Sequence, residues 1–373
     1  MNFYKALGVP TVINAATTFT ALGGSIMPDE VLSAMSDAAG SFVDMHSLHL
    51  AAGKRIAELT RNEAAYVTSG CAAALVLSIL GARTGGDPAA IHSFPGRREV
   101  PHEVIMHAAH RIPYDPAVAL AGATIRQIGN VLQTFTWELE QAFNERTAAV
   151  LYVAGSHLPP ALSLEEVVVI SHKHGVPVIV DAAAQLPPVS NLWRFTRDIG
   201  ADLALFSGGK ALRGPQASGF MVGRADLVEA ARQNGAPFQR WARAMKAGKE
   251  EIAGLVTALE RYVSLDHDAL HSHWLRTVED WMVAFSGVVG ASVSIDMLNE
   301  AGQPVPRLHL EIDNKTRAAA VLAFLETTEP RIAVLPDMRN GSAMGLWLGP
   351  DLLRDGEAEM VQRAVLDAIG AAQ

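Results

Sequence analysis

The sequence has a single cysteine and no concentration of positive charge. Cys71 is the only cysteine among 373 residues, so an intrachain disulfide is excluded and a reducing compartment is expected. The formal net charge is −9 and no Lys/Arg block occurs, which argues against a nucleic-acid partner. No secretory signal opens the chain, and the longest nearly apolar run, from Cys71 to Ala82, is too short to cross a bilayer. We therefore expect a soluble, cytoplasmic protein with no membrane partner.

What the chain does have is abundant apolar material. Hydrophobic residues make up 49% of the sequence and charged residues 18%, a balance that favours a folded core over disorder. The length suits two lobes. Changes in composition predict an N-terminal segment over residues 1–30, a large domain over 31–245 and a small C-terminal domain over 246–373.

The large domain alternates helix-like and strand-like segments. Strands such as Ala148–Ala154, Val176–Val180 and Ala201–Phe206 are apolar almost throughout, as expected for a parallel sheet that is covered on both faces. The sequence therefore predicts a doubly wound α/β domain. After about residue 240, strands and helices at hairpin-like spacing predict a small α+β domain.

A lysine follows one of the predicted strands. Ser207–Lys210 reads Ser-Gly-Gly-Lys and comes directly after the strand Ala201–Phe206. A partly buried lysine there is suited to imine formation with an aldehyde cofactor, and Ser207 is suited to bind a phosphate. A surface lysine in a turn explains the fragment equally well. A P-loop is excluded, because Ala204 and Ala211 occupy the positions of its first glycine and its Ser/Thr.

An aspartate closes another apolar strand. Asp181 ends the run that begins at Val178, which places it at the carboxyl edge of a parallel sheet, where ligands bind. A carboxylate in that position can pair with a protonated pyridine nitrogen. A helix N-cap is the alternative interpretation.

A third segment has the pattern of a phosphate site. The strand that ends at Thr68 is followed by Ser69 and Gly70 and then by a helix of small residues from Cys71. Free N–H groups at a helix start bind phosphate, although capping without a ligand is the alternative. The three segments occur in the order seen in enzymes of fold type I that use pyridoxal phosphate (PLP).

On these residues the chain resembles the selenocysteine-synthase-like family, which includes L-seryl-tRNA selenium transferase and D-glucosaminate-6-phosphate ammonia-lyase. The resemblance runs from about residue 5 to the C-terminus. The matching stretches are Val12–Ala15, Thr68–Ala73, His110–Asp115, Asp181–Gln185, Ser207–Gln216 and Arg243–Glu251. It implies the aspartate aminotransferase-like fold of type I PLP enzymes, with a large PLP-binding domain and a small C-terminal domain.

The resemblance also implies roles for individual residues. Lys210 would hold PLP as a Schiff base, with Asp181 against the pyridine nitrogen. Phosphate contacts are implied for Ser69, Gly70, Cys71 and Ser207. His110 is a candidate to stack on the ring or to act near the substrate, and Gln185 is a candidate ring contact. The candidate substrate ligands are Asn14, Arg213, Lys246 and Lys249.

The expected activity follows from this assignment. We expect Lys210 to remove the α-proton of a small amino acid or amino sugar acid, followed by β-elimination to a 2-oxo acid and ammonia. A racemase or epimerase and an aldolase remain alternatives, and a non-catalytic PLP-binding protein is the alternative of a different class. The first family motif begins within the opening 15 residues, so a tRNA substrate is not expected. A homodimer or higher homo-oligomer is expected, and no metal site, because the histidine pairs lack an accompanying Cys or carboxylate cluster.

Overall fold

A computed structural model describes residues 3–94, 100–155 and 161–372. The chain forms two compact units, one over Met27–Leu265 and one that combines the N-terminal residues through Ile26 with those from Asp266 onwards. In the part of the chain that is described, no helix is both long and apolar enough to span a membrane.

The elements are numbered in chain order. The strands are β1 (Val12–Asn14), β2 (Ala64–Thr68), β3 (Glu103–His107), β4 (Thr124–Ile128), β5 (Thr147–Val153), β6 (Val178–Asp181), β7 (Leu203–Ser207), β8 (Gly219–Gly223), β9 (Ala291–Asp296), β10 (Arg307–Ile312), β11 (Arg331–Ala333), β12 (Leu335–Arg339) and β13 (Ser342–Leu348). The helices are α1 (Phe3–Ala6), α2 (Asp29–Ala39), α3 (Met45–Thr60), α4 (Cys71–Thr84), α5 (Pro88–Ser93), α6 (Pro116–Leu120), α7 (Thr136–Glu140), α8 (Leu164–Lys173), α9 (Asn191–Trp193), α10 (Ala225–Asn234), α11 (Lys249–Ser264), α12 (His267–Phe285), α13 (Lys315–Thr327) and α14 (Glu357–Ala371).

The larger unit is built on a mostly parallel sheet with the strand order β2-β8-β7-β6-β5-β3-β4. Strand β8 runs antiparallel to both of its neighbours, and the other pairs are parallel. The central strands are apolar because both of their faces are covered, whereas the edge strand β4 contains Arg126 and Gln127 and is partly exposed. In β6, Val178 and Val180 belong to one hydrophobic cluster and Ile179 to the cluster on the other face. The predicted doubly wound α/β domain is confirmed.

Helix α4 is buried on nearly all sides, which explains its uniformly apolar sequence. Gly81 lies where α10 crosses it. A Cβ at Gly81 would come within 2.7 Å of the backbone nitrogen of Ala231, so only glycine permits this approach.

The smaller unit contains a four-stranded antiparallel sheet in the order β12-β13-β10-β9. Leu308 and Leu310 on β10 pack with Trp281 and Phe285 of α12 in its hydrophobic core. The small α+β domain is thus confirmed. Within the predicted N-terminal segment, β1 pairs in parallel with β11. That pairing joins residues more than 300 positions apart, which no local pattern indicates.

The division into units falls at residues different from the predicted boundaries of 30/31 and 245/246. Helix α11 belongs to the larger unit, so this unit extends to Leu265. Arg261 of α11 pairs with Glu30 of α2 at 2.7 Å, and Glu260 pairs with Arg55 of α3 at 2.6 Å. Helix α11 packs on α2 and α3 and is therefore part of the larger unit.

Candidate active site

The carboxyl edge of the large sheet brings together the ends of three strands. Asp181, the last residue of β6, stands level with Val153 of β5 and Leu205 of β7. Ser207, the last residue of β7, pairs with Gly219, and Gly219 pairs with Thr68 at the end of β2. The segments after β2, β6 and β7 therefore leave the sheet at one edge, as the sequence predicted.

The start of α4 lies directly on the first residue of β8. A Cβ at Gly219 would come within 2.5 Å of the carbonyl carbon of Gly70 and 2.6 Å of the backbone nitrogen of Cys71. Gly70 itself has φ of 132°, a conformation that L side chains rarely adopt. At the Gly70 end of α4 no side chain caps the helix, so the first-turn N–H groups are available to an anion.

Asp181 is nearly buried, and its Oδ1 atom is held by two donors. It accepts the backbone N–H of Ala183 at 3.1 Å and lies 3.7 Å from Sγ of Cys71. Burial raises the pKa of the Asp181 carboxyl, while the Ala183 hydrogen bond, the charge of Lys210 and the Cys71 thiol oppose the rise. Lys210 and Cys71 are thus within electrostatic reach of Asp181.

Lys210 lies in a turn that is tightly packed. The N–H of Gly208 donates to the Ser218 carbonyl at 2.9 Å, and a Cβ at Gly209 would come within 2.6 Å of Cα of Gln216. The two glycines before the lysine permit this close packing of the loop. Lys210 itself is half-buried.

His110 lies in a short 3₁₀ turn, Ala108–His110, after β3. The backbone N–H of Val153 donates to its Nδ1 atom at 3.3 Å, so the proton of the neutral ring is on Nε2. Its ring centroid is 4.5 Å from that of Tyr152 and 4.8 Å from that of His107. Burial, with a smaller contribution from His107, lowers the pKa of His110 to about 3. His110 is therefore a neutral aromatic side chain at physiological pH.

Gln185 is nearly buried in the turn that follows β6. Its side-chain Nε2 donates to the backbone carbonyl of Ala184 at 2.9 Å. The backbone carbonyl of Gln185 accepts from the side-chain Nδ2 of Asn191 at 2.7 Å. The turn that follows Asp181 is thereby fixed.

The four predicted substrate ligands differ in their surroundings. Asn14 lies in the smaller unit, where its side chain closes a turn with Ala16 and Thr17. The ammonium of Lys249 donates to the Ala38 carbonyl and to Glu250, both at 2.6 Å. Lys246 is exposed in the larger unit. Arg213 directly follows the Lys210 turn.

Three residues of the site were missed or read differently in the sequence. Tyr152 and His107 pack against His110, and Gly219 seats the helix start. The spacing His107-x-x-His110 was considered only as a metal pattern, although it also places two rings on one turn. Among the described residues, no group of three or more His, Cys, Asp or Glu side chains could hold a metal ion.

Comparisons with known proteins identify the family of the chain. A sequence model described as L-seryl-tRNA selenium transferase matches residues 12–282. The chain belongs to this family. It is 34% identical to the 5'-C-glycyluridine monooxygenase-decarboxylase of a Streptomyces species, over 86% of this chain and 80% of that protein. It is also 34% identical to the D-glucosaminate-6-phosphate ammonia lyase of Salmonella typhimurium, over 84% of this chain and 82% of that protein.

A solved structure extends the likeness to the whole chain. The structure of a D-glucosaminate-6-phosphate ammonia-lyase superimposes with a TM-score of 0.85 at 31% identity, covering 100% of this chain and 99% of the other. The expectations of a fold-type I enzyme, of PLP as its cofactor and of kinship with the selenium transferases are confirmed. The candidate site contains an uncapped helix start, a carboxylate and a lysine, which are groups that suit PLP.

Proposed function

We propose that the chain is a PLP-dependent ammonia-lyase that acts on a small amino acid or an amino sugar acid. The observation that carries the proposal is that the Lys210 turn, Asp181 and the start of α4 meet at the carboxyl edge of the sheet. There burial raises the pKa of both Asp181 and Cys71, and the charge of Lys210 opposes that rise. Likeness to an ammonia-lyase over the full chain supports it. The product would be a 2-oxo acid together with ammonia.

The start of α4 and the end of β7 supply the phosphate ligands. In this proposal the N–H groups of Gly70 and Cys71 and the hydroxyls of Ser69 and Ser207 bind the cofactor phosphate. All four residues are half-buried at the same sheet edge. A helix N-terminus favours a dianion by its dipole and by its unpaired donors.

Asp181 and Lys210 have complementary tasks. When bound, PLP withdraws electrons from the Cα atom of the amino substrate. The Asp181 carboxylate keeps a proton on the ring nitrogen, and burial strengthens this pairing by excluding water. Lys210 would hold the cofactor through its Nζ atom, and once the amino substrate has replaced it, Nζ would take the α-proton of the substrate. The proton transfer prepares loss of a leaving group from Cβ.

Four further residues complete the proposed site. The neutral ring of His110 packs against Tyr152 and would stack on the cofactor. Gln185 would contact the cofactor from the turn after β6. Arg213 binds the substrate carboxylate or phosphate, with exposed Lys246 as a second cation. We leave Lys249 and Asn14 out of the site because local partners account for their polar atoms.

Racemisation or epimerisation is the second candidate, since it begins with the same proton removal. The relatives themselves differ, because a monooxygenase-decarboxylase and an ammonia lyase match the chain at the same 34% identity. Which bond is broken depends on how the substrate is oriented.

The test uses the purified protein with PLP and a panel of D- and L-amino acids and amino sugar acids. We expect a visible absorbance band that borohydride abolishes and that Lys210→Ala lacks. A substrate should release ammonia and a 2-oxo acid in equal amounts. Inversion of the α-carbon without ammonia would establish a racemase or epimerase and refute the lyase.

We also propose that the chain works as a cytoplasmic homodimer or higher homo-oligomer. The link between α2 and α3 in the larger unit presents Phe42 fully exposed at 106%, beside Val43 at 46%. Exposed apolar side chains in sequence mark an association surface. Light scattering should give a mass at least twice that of one chain, and Phe42→Asp should lower it. Fractionation of the source cells tests the location.

A further inference from the structure

The two oxygens of the Asp181 carboxylate are treated differently. Oδ1 accepts the Ala183 N–H at 3.1 Å and has the Cys71 sulfur at 3.7 Å. In the described ranges, these are the hydrogen bonds that reach the side chain, and both are at Oδ1. One oxygen is anchored by the protein, and Oδ2 has no donor from these residues.

The Cys71 thiol is in the protonated state that a donor requires. Burial raises the pKa of Cys71 well above its usual range, and the negative charge of Asp181 raises it further, whereas Lys210 lowers it. A protonated thiol beside a carboxylate can only donate, because an ionised carboxylate has no proton to give. The contact is therefore S–H to Oδ1.

A thiol is a weak donor compared with a hydroxyl. A strong donor at Oδ1 would draw negative charge away from Oδ2, where a ring nitrogen would bind. A weak donor, together with one backbone amide, restricts the orientation of the carboxylate and leaves more charge on the second oxygen.

We propose that Cys71 is a positioning residue for Asp181: its thiol holds Oδ1 and leaves Oδ2 to pair with the protonated ring nitrogen of the cofactor. Cys71 thus acts through its side chain as well as through the backbone N–H assigned to the phosphate. The proposal rests on the proposed function for its catalytic meaning, but the contact itself can be measured without cofactor.

The first experiment is alkylation of the protein without PLP by iodoacetamide, as a function of pH. Cys71 is the only cysteine, so the rate reports this thiol alone. Asp181→Asn removes a negative charge and should accelerate labelling about fivefold near pH 8, because more thiolate forms. Lys210→Met removes a positive charge and should slow labelling. A general loosening of the fold would accelerate labelling in both variants, so opposite changes in the labelling rate indicate an electrostatic effect on the thiol.

A matched control moves the thiol by one residue. In the double variant Cys71→Ala/Ala72→Cys the thiol stands at an exposed position of the same helix turn. Its labelling rate should respond little to Asp181→Asn. Asp226→Asn, at an exposed carboxylate elsewhere in the unit, should leave the labelling of Cys71 unchanged.

The second experiment follows the loaded protein. Loss of one modest hydrogen bond in Cys71→Ala should increase the dissociation rate of PLP about three- to tenfold and shift the pH midpoint of the visible band. Cys71→Ser retains a donor and should restore the dissociation rate, with a band midpoint different from that of the wild type.

The outcomes separate this proposal from the proposed function. If the wild type binds no PLP, the proposed function fails, while alkylation still decides the contact. Equal labelling rates in wild type, Asp181→Asn and Lys210→Met overturn the proposal. If circular dichroism shows that a variant is unfolded, the pH profile of alkylation in the wild type is the test. An ordinary thiol pKa in that profile overturns the proposal.

Discussion

The backbone N–H of Arg213 donates to the carbonyl oxygen of Lys210 at 2.9 Å and closes the turn directly after the lysine. Arg213 takes φ of 56° in this turn, in the left-handed region. An L-residue there costs about 1 kcal/mol relative to glycine. A strained arginine beside the proposed Schiff-base lysine is consistent with a task for its side chain.

Arg213→Gly should therefore separate backbone strain from side-chain function. We expect the free energy of unfolding of this variant to equal that of the wild type or to exceed it by up to about 1 kcal/mol. The KM for the substrate should rise at least about tenfold, because the guanidinium is lost. Arg213→Ala should raise KM equally without the gain in stability. Scanning calorimetry and steady-state kinetics give both values. A wild-type KM in Arg213→Gly would remove Arg213 from the substrate site.

Acid should destabilise the larger unit through three buried histidines. Burial is the main cause that lowers the pKa of His49 and His107 to about 4 and that of His110 to about 3. The folded pKa values lie below the unfolded value of about 6.5, so the unfolded chain takes up protons first as pH falls. The contribution of these histidines to the free energy of unfolding is fully present above about pH 7. It decreases below about pH 6.5, by about 1.4 kcal/mol per pH unit for each histidine.

The check compares the pH dependence of unfolding in two variants. His49→Leu should give a shallower decrease in stability between about pH 6 and pH 4.5 than the wild type, whatever its stability at pH 7. His273→Gln, at an exposed position, should retain the wild-type slope. Equal slopes in wild type and His49→Leu would contradict a neutral, buried His49.

Asp202 should matter for stability and little for the cofactor. Its carboxylate is 2% exposed and accepts from Arg224 at 2.7 Å, from His172 at 2.9 Å and from the N–H of Val178 at 2.7 Å. It precedes β7, at the edge opposite Asp181. Asp202→Ala should lower the free energy of unfolding by about 3 kcal/mol, because the buried N–H of Val178 loses its acceptor and the hydrogen bonds from Arg224 and His172 are lost.

Chemical denaturation and PLP titration distinguish these two effects. Asp226 is an exposed partner of the same Arg224, and Asp226→Ala should cost less than about 1 kcal/mol. A large loss of PLP affinity in folded Asp202→Ala would show that this edge of the sheet influences the site.

Gly219→Ala tests how the start of α4 is seated. The new Cβ would come within 2.5 Å of the Gly70 carbonyl carbon, so the helix start must shift away from β8. We expect PLP affinity to fall at least about tenfold, since phosphate binding depends on the N–H positions. Gly40→Ala meets only an ordinary 3.5 Å contact and should retain wild-type affinity. Equilibrium titration with PLP makes the comparison.

The sequence alone determined the features that depend on local pattern. Apolar runs without polar alternation indicated a parallel sheet with both faces covered, and the strand predicted to end at Thr68 is β2 of the structure, Ala64–Thr68. The residue types at the strand ends, Asp181 and the Ser207–Lys210 segment, indicated the cofactor. These features can be predicted because the residues that follow parallel strands lie at the carboxyl edge of the sheet.

Contacts between distant residues were decided only by the tertiary structure. Helices α2 and α10 were not predicted, and the packing of α11 on α2 moved the boundary of the larger unit to Leu265. The orientation of the Cys71 thiol towards Asp181, the antiparallel β8 and the ring cluster around His110 arise from residues far apart in the chain. A sequence pattern records the preference of each segment, whereas these positions depend on which surfaces fit together when the segments pack.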